Sequence, residues 1–366
     1  MRILAIDVGT GTQDILLFDS TGPVENSIKL VMPSATQIAA GRIRRATAAR
    51  RPLVLTGIVQ GGGPCHWALN DHLAAGLPAY ATPEAAATFD DDLDAVAAMG
   101  VRVVSDDEAA RIDAERVVLR DIDLDAVRAA LAAFDVSGAF DGIAVGCLDH
   151  GDAPPGYSDR LFRFDHLKRT VEARNDLRAF AFPPDALPPY LTRARAVVTS
   201  AQAQAPGVPV AFLDTGPAAA LGALQDPRVA AEREQLVLNL GNMHALAFHL
   251  QGERIISLYE HHTGEVTTEQ IEDFSERLVA GSLRHEEIFG SKGHGAFYAD
   301  GANAGGAPMP LVAVTGPQRG KLRGSRLAPY FATPHGDMMI SGCFGLLVGF
   351  AEVYPDAREE ITRALA

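Results

Sequence analysis

The run Ile3-Leu4-Ala5-Ile6-Asp7-Val8-Gly9-Thr10-Gly11-Thr12-Gln13-Asp14-Ile15-Leu16-Leu17-Phe18-Asp19 decides how this 366-residue chain is read. An apolar strand ends in an acid, a turn of glycine and threonine follows, and a second apolar strand leaves at once. That is a β-hairpin, not a strand feeding a helix. Glycines at 9 and 11 let backbone N–H groups approach an anion, and the hydroxyls of Thr10 and Thr12 add donors, so Gly9 to Asp14 form a nest for phosphate oxygens. Asp7, at the strand end, suits magnesium, which takes few carboxylates and keeps much of its water. A dinucleotide loop needs G-x-G-x-x-G opening a helix, and neither is present.

A second turn of the same kind lies far downstream, in Leu236-Val237-Leu238-Asn239-Leu240-Gly241-Asn242-Met243-His244-Ala245-Leu246. Strand, polar residue, glycine turn and strand recur, with Gly241, Asn242 and His244 in place of the first turn's donors. Two such hairpins, one in each half, predict a duplicated fold that clasps one polyphosphate from both sides. The rest of the chain alternates short apolar runs with alanine-rich amphipathic stretches, as an α/β protein does. Strands are predicted at 3–6, 15–18, 53–57, 142–146, 208–213, 236–240, 246–250 and 311–314, and helices at 91–99, 124–134, 217–224, 268–280 and 343–353. The Pro-rich segment 153–189 reads as a long loop or cap, and the Gly- and His-rich segment 281–310 as loop.

The order of these elements resembles the superfamily of actin, sugar kinases and heat-shock ATPases. After the first hairpin, Asp214-Thr215-Gly216-Pro217 and its small residues look like the first connecting helix, with room for a close crossing. Asn239–His244 looks like the second phosphate hairpin. Thr315-Gly316-Pro317, after a strand, resembles the turn that packs on adenosine, and Ile340–Gly349 resembles the closing helix. The resemblance implies an α/β, two-lobed actin-like ATPase fold, a duplicated ribonuclease-H-like architecture with a nucleotide cleft between its lobes. The first lobe would span 1–222 with a closing helix over 341–366, and the second 223–340. It implies ATP and Mg2+ as ligands, with Asp7, Asp214 and Asn239 around the metal. Asp214 equally suits the N-cap of the helix that follows it. Two departures from the family pattern, Asn239 for the usual Asp and Met243-His244 where a threonine is usual, favour slow turnover. A closer resemblance, carried by Gly61-Gly62-Gly63-Pro64, Glu260-His261-His262-Thr263, Gly293-His294-Gly295 and Pro334–Gly342, is to an uncharacterised prokaryotic family labelled as related to the pyruvate formate-lyase activating protein.

Composition narrows the partners. Hydrophobic residues are 47% and charged residues 21%, the profile of a compact globular protein, and a net charge of -14 disfavours nucleic acid. The three cysteines, Cys65, Cys147 and Cys343, are widely spaced; they form neither a disulfide framework nor the three-cysteine motif of iron–sulfur radical enzymes. No run is apolar and long enough for a membrane span or a signal-peptide core, which predicts a cytoplasmic protein.

Eleven histidines are present, several beside glycine or acid. The resemblance to sugar kinases implies a carboxylate near the cleft that takes the proton of an attacking hydroxyl, and Asp149, His150 and Asp152, after a strand end, are the candidates for that role. His261 and His262 follow a strand and point to opposite faces if extended, so at most one faces the cleft. The turn Gly61–Gly63 follows a strand and could line the cleft, but a triple glycine is also a flexible bend, and that plainer reading is preferred. Three functions are compatible with these residues: phosphoryl transfer from ATP to a small acceptor or to water, an ATP-gated partner that acts on a client protein, and metal or metabolite binding through the histidine loops.

Overall fold

The computed structural model describes residues 1–299 and 309–366. The chain begins with three antiparallel strands, β1 (Arg2–Val8), β2 (Thr12–Asp19) and β3 (Ile28–Pro33). It then builds a separate parallel layer from β4 (Leu53–Gly57), β5 (Ala79–Ala81), β6 (Val101–Val103) and β7 (Glu115–Leu119), and returns to the first sheet with β8 (Gly142–Cys147), β9 (Ala181–Phe182) and β10 (Val210–Leu213). The second lobe holds β11 (Glu234–Leu240), β12 (His244–Gln251), β13 (Arg254–His262), β14 (Gly295–Tyr298), β15 (Leu311–Thr315) and β16 (Tyr330–Phe331).

The duplication is visible in strand order. The first sheet runs β3-β2-β1-β8-β10-β9 and the second β14-β13-β12-β11-β15-β16. In each, an antiparallel hairpin (β1 with β2, β11 with β12) continues into a third antiparallel strand. On its other side the hairpin's first strand pairs in parallel with a later strand, β8 or β15. Both sheets therefore share the ribonuclease-H-like order, and the fold is the two-lobed actin-like one.

Alternating side chains divide the first sheet's residues between two cores. Ile3, Ala5, Leu16 and Phe18 face a core that also takes in Val237, Phe248 and Leu258 of the second lobe. Leu4, Ile6, Ile15 and Leu17 face another, packed under the helices Leu124–Ala132 and Thr192–Gln204. Between the lobes the helices Thr215–Ala223 and Ser341–Val353 cross closely. A methyl group at Gly222 would collide with the Ser341 carbonyl, and one at Gly345 with that of Ala218, so glycine is what permits the crossing that the small residues predicted.

Three sequence expectations are corrected. The first-lobe span contains a whole additional sheet, β6-β5-β4-β7, with its own core around Leu53, Leu55, Val117 and Leu119. Segment 153–189 is not a loop throughout: Asp159–Ala173 is helical and buries Arg163, Phe164, Leu167 and Val171, a stripe obscured by its charge and by the flanking Pro-Pro pairs. Segment 281–310 contains the helix His285–Gly290 and β14, while its residues 300–308 lie outside the described residues. Among the described residues, no helix is long and apolar enough to cross a membrane.

Candidate functional site

A cavity of about 410 Å³ opens between the lobes. The two predicted hairpins face each other across it, and their turns are built alike. Gly9 N–H donates to the Thr12 carbonyl at 3.0 Å, and Gly241 N–H to the His244 carbonyl at 2.9 Å. A Cβ on either glycine would press on that same carbonyl, at 2.9 and 3.0 Å respectively. The tip N–H groups of Thr10, Gly11, Asn242 and Met243 make no hydrogen bond among the described residues, so two sets of donors are free at facing turns. Gly9, Thr10 and Thr12 line the cavity from one lobe, and Gly241, Asn242 and His244 from the other. Gly11 itself abuts the Asn242 side chain, which brings the two tips together.

At the floor of the first hairpin, register sets Asp7 directly opposite Asp14. Thr215, which opens the first connecting helix, donates its hydroxyl to Asp7 Oδ1 at 2.6 Å, and the closing helix approaches so closely at Gly342 that a methyl there would strike Asp7. Burial pushes the Asp7 carboxyl up to about 6, with the Thr215 hydrogen bond opposing it. Burial, then the neighbouring Asp7, pushes Asp14 up to about 8. Asp14 Oδ1 is shut from solvent with no hydrogen-bond partner among the described residues. Two adjacent carboxylates, one orphaned, are the donor set a hard divalent cation takes. Asn239, Thr315, Gly316 and Pro317 line the opposite wall, where Gly316 (φ +94°) bends the chain around Asn239 and Leu240.

Other candidates are placed differently. Asp214 does not line the cavity. Its carboxylate receives both terminal nitrogens of buried Arg163 and caps the following helix at Gly216 N–H, so the ion pair and the cap take the oxygens that a metal would need. Arg163 also pairs with Glu260 of β13, which ties the lobes together. Asp149 faces the cavity, but its two oxygens accept from Gly151 N–H at 2.8 Å and Ala194 N–H at 2.9 Å. Asp152 is exposed and outside the cavity, and the Gln13 amide donates to the Pro33 carbonyl, away from it. Both are corrections to the site as read from sequence.

Other wall residues were not placed in the site by the sequence. Gly61–Gly63 line the cavity where a plain bend was expected, and Gly61 N–H is fixed by Asp121. Arg193 donates to the same Asp121 and to the Leu148 carbonyl. Asp91 lines the cavity too. Although exposed, it is pushed up to about 6 by partial burial and then by Asp152 and Asp149, and the Thr192 hydroxyl donates to it at 3.4 Å.

The histidines gather. His150 of the first lobe meets His244, His262 and His294 of the second, and four ring nitrogens, one from each, lie within 4.8 Å of one another. His262 joins them while His261 turns to Ser291, the alternation expected along a strand. Burial, then Arg163 and His262, holds His150 down at about 3, and burial lowers His244 and His294 as well.

Residues 60–321 match the family described as "Putative pyruvate format-lyase activating enzyme (DUF1786)". No protein of curated function matches the sequence. Among solved structures the chain is similar to the ROK hexokinase from Thermus thermophilus, at 13% identity over 70% of this chain and 48% of that one (TM-score 0.25); it spans about half the hexokinase's length. It is also similar to a Listeria monocytogenes protein described as "a putative N-acetylmannosamine kinase" (11% identity, 96% and 99% covered, TM-score 0.35). A Ppx/GppA family member from Aquifex aeolicus gives 10% identity, 97% and 91% covered, and a TM-score of 0.29. The fold assignment rests on the strand order described above.

Proposed function

The chain belongs to the family that carries the formate-lyase activating description, and we propose that it binds ATP with magnesium in the interlobe cleft and transfers the terminal phosphoryl group to a small acceptor or to water. The observation that carries this is the facing pair of glycine turns, with four free tip N–H groups, above the Asp7–Asp14 carboxylates. The residues fit the ligands: the turns offer a cradle that a Cβ would fill, and the orphaned Asp14 oxygen fits a cation. Magnesium, when bound, supplies charge neutralisation of the phosphate oxygens.

The chain's own groups do the rest. Asp7 and Asp14 would hold the cation, with Thr215 fixing the Asp7 rotamer. Thr10, Gly11, Asn242 and Met243 would orient phosphate oxygens through their N–H groups. Thr315–Pro317 would flank the base. Asp91 is the better proton acceptor for the nucleophile, because it lines the cavity and, among the described residues, accepts only a 3.4 Å hydrogen bond from Thr192, whereas both Asp149 oxygens are engaged. Asn239 leaves the second turn uncharged, which favours slow turnover. Radical activation of a lyase is not supported, since Cys65, Cys147 and Cys343 are all buried, on a helix, a strand and another helix.

The test is thermal stability with and without ATP and Mg2+, beside Asp7→Ala, followed by ADP release. At a hundredfold excess over Kd, binding should add ~2.7 kcal/mol and raise Tm by roughly 5–10 °C. No shift in the wild type at any nucleotide concentration rejects the reading.

A further inference from the structure

The four clustered histidines are brought together by sheet register and by lobe closure. His244 begins β12 and His262 ends β13, and the two are direct partners across that pair. His294 precedes β14, with its N–H on the Glu260 carbonyl at 2.9 Å, so three imidazoles stand on three neighbouring chain segments of one sheet. His150, after β8, comes from the other lobe, and its Nε2 lies 3.2 Å from His294 Nε2. Ring centroids are 4.7 Å apart for His262 and His294 and 5.2 Å for His244 and His294.

Ordinary hydrogen bonding does not account for this packing. His244 Nε2 and His294 Nδ1 are shut from solvent without a partner among the described residues. An orphaned buried polar atom is costly, and an ion on His244 Nε2 would relieve that one; His294 meets His150 through its other nitrogen, Nε2. The four imidazoles can share only one proton along the His150–His294 contact. His262 adds a directional clue, because its Nδ1 lies 2.9 Å from the Lys292 carbonyl. A carbonyl only accepts, so Nδ1 carries the proton and Nε2 keeps the lone pair. A carbonyl fixing the far side of an imidazole is the usual outer support of a metal-bound histidine.

From this geometry we infer that His150, His244, His262 and His294 form a binding site for one divalent transition-metal ion of the zinc class, which joins the two lobes beside the second phosphate turn. The ligand set is all nitrogen, which selects zinc, cobalt, nickel or copper over magnesium and calcium. A tetrahedral ion with bonds of ~2.0–2.1 Å sets its ligand nitrogens ~3.3 Å apart. The His150–His294 separation is already at that distance, and the spread of up to 4.8 Å closes through side-chain rotations of about an ångström. Three ligands come from the second lobe and one from the first, so the ion would report and stabilise the closed arrangement of the lobes. None of its ligands is Asp7 or Asp14, although His150 and His244 also line the cleft.

The experiment uses untagged, chelator-stripped protein titrated with Co2+ alone and followed by visible absorption. Zn2+ is then added as competitor, with Mg2+ as control. The expected result is one Co2+ per chain with the intense bands of four-coordinate cobalt, displaced by Zn2+ and not by Mg2+. His262→Ala and His150→Ala each remove a ligand and should weaken Co2+ binding by at least the roughly 10–100-fold that loss of an outer-shell partner costs. His285→Ala, outside the cluster, should leave it unchanged. Circular dichroism separates loss of a ligand from loss of fold, and half-buried His262 gives the safer variant. Asp7→Ala should retain the cobalt spectrum, which keeps this result apart from the nucleotide test. Weak six-coordinate bands, or a titration that His150→Ala and His262→Ala leave unmoved, would overturn the site.

Discussion

The two turns that face each other across the cleft share a backbone and differ in chemistry. Each closes with a glycine N–H on the carbonyl three residues later. The first stands on Asp7 and Asp14, whereas the second stands on Asn239 and ends in His244, a member of the histidine cluster. Duplication therefore kept the part that any phosphate can use, the N–H cradle, and let the charged part diverge. The first turn stands among carboxylate oxygens, of the kind magnesium takes, and the second beside a histidine cluster that draws three of its four rings from its own lobe.

The largest expected effect comes from making the two turns alike in charge. Asp7→Asn should lose Mg2+-dependent nucleotide binding by about a hundredfold or more, which removes most of the ~2.7 kcal/mol stabilisation expected at a hundredfold excess of ligand over Kd. Asn239→Ala, at the matching position, should cost no more than about tenfold, the scale of one neutral hydrogen bond. Isothermal titration with ATP and Mg2+ checks both, and equal losses would show that the acid is not what distinguishes the turns.

A smaller effect tests what they share. Gly9→Val and Gly241→Val each push a branched side chain against a turn carbonyl, and each should weaken ATP binding about tenfold. Nucleotide titrations of the two variants should give losses within a factor of about three of each other. A strong effect at one turn alone would mean that a single lobe holds the phosphates.

How much of this could be read from the chain depends on locality. The Asp7–Asp14 and Asn239–His244 hairpins were legible because turn chemistry and strand alternation are written in adjacent residues. The order of the connecting and closing helices fixed their places. Of the layer β4–β7 only β4 was read, because the other strands are short and the helix before it, Ala35–Ala48, carries three arginines that mask the buried stripe Ala39, Ala40, Ile43 and Ala46. Asp91 and Arg193 were invisible because only long-range packing brings them to the cavity wall. Of the two roles read for Asp214 the N-cap holds, while its ion pair was hidden because Arg163 is 51 residues away, on a segment read as loop. The histidines were noticed singly, but nothing local says that residues 150, 244, 262 and 294 converge.

The acid pair gives a pH test that the second turn cannot show. Asp7 is held at about 6 and Asp14 at about 8, so both carry protons over part of the neutral range. A cation binds the ionised carboxylates, and protons compete with it. Mg2+ affinity should therefore rise with pH, by up to about tenfold per unit for each proton displaced, and level off above about 8. The same sign governs the metal-free protein. A carboxyl raised in the fold above its ordinary value stabilises the fold most in acid, and that stability is lost as pH rises from about 4 to about 8. Asp14→Asn should flatten both profiles, and Asn239→Ala should change neither. Mg2+ titrations at pH 6, 7 and 8 decide it, and an affinity independent of pH would place the cation elsewhere.

The smallest expected effect lies where the turns touch. Gly11 abuts the Asn242 side chain, so Gly11→Ala forces the two tips apart and Asn242→Gly gives the room back. Each single change should weaken ATP binding only several-fold, Gly11→Ala by crowding and Asn242→Gly by loosening the second turn. Because the two residues are in contact, their effects should not add, with a coupling of about 1 kcal/mol in a double-mutant cycle on Kd. Asn242 also receives the Gln318 amide at 3.3 Å, which links the second turn to the chain that follows Thr315–Pro317, so some cost of Asn242→Gly will persist in the double variant. Coupling near zero would mean that the tips act independently and that the cleft closes on its ligand without contact between the turns. A coupling well above 1 kcal/mol would make this contact, rather than the Arg163 ion pairs with Asp214 and Glu260, the main control of lobe closure at the phosphates.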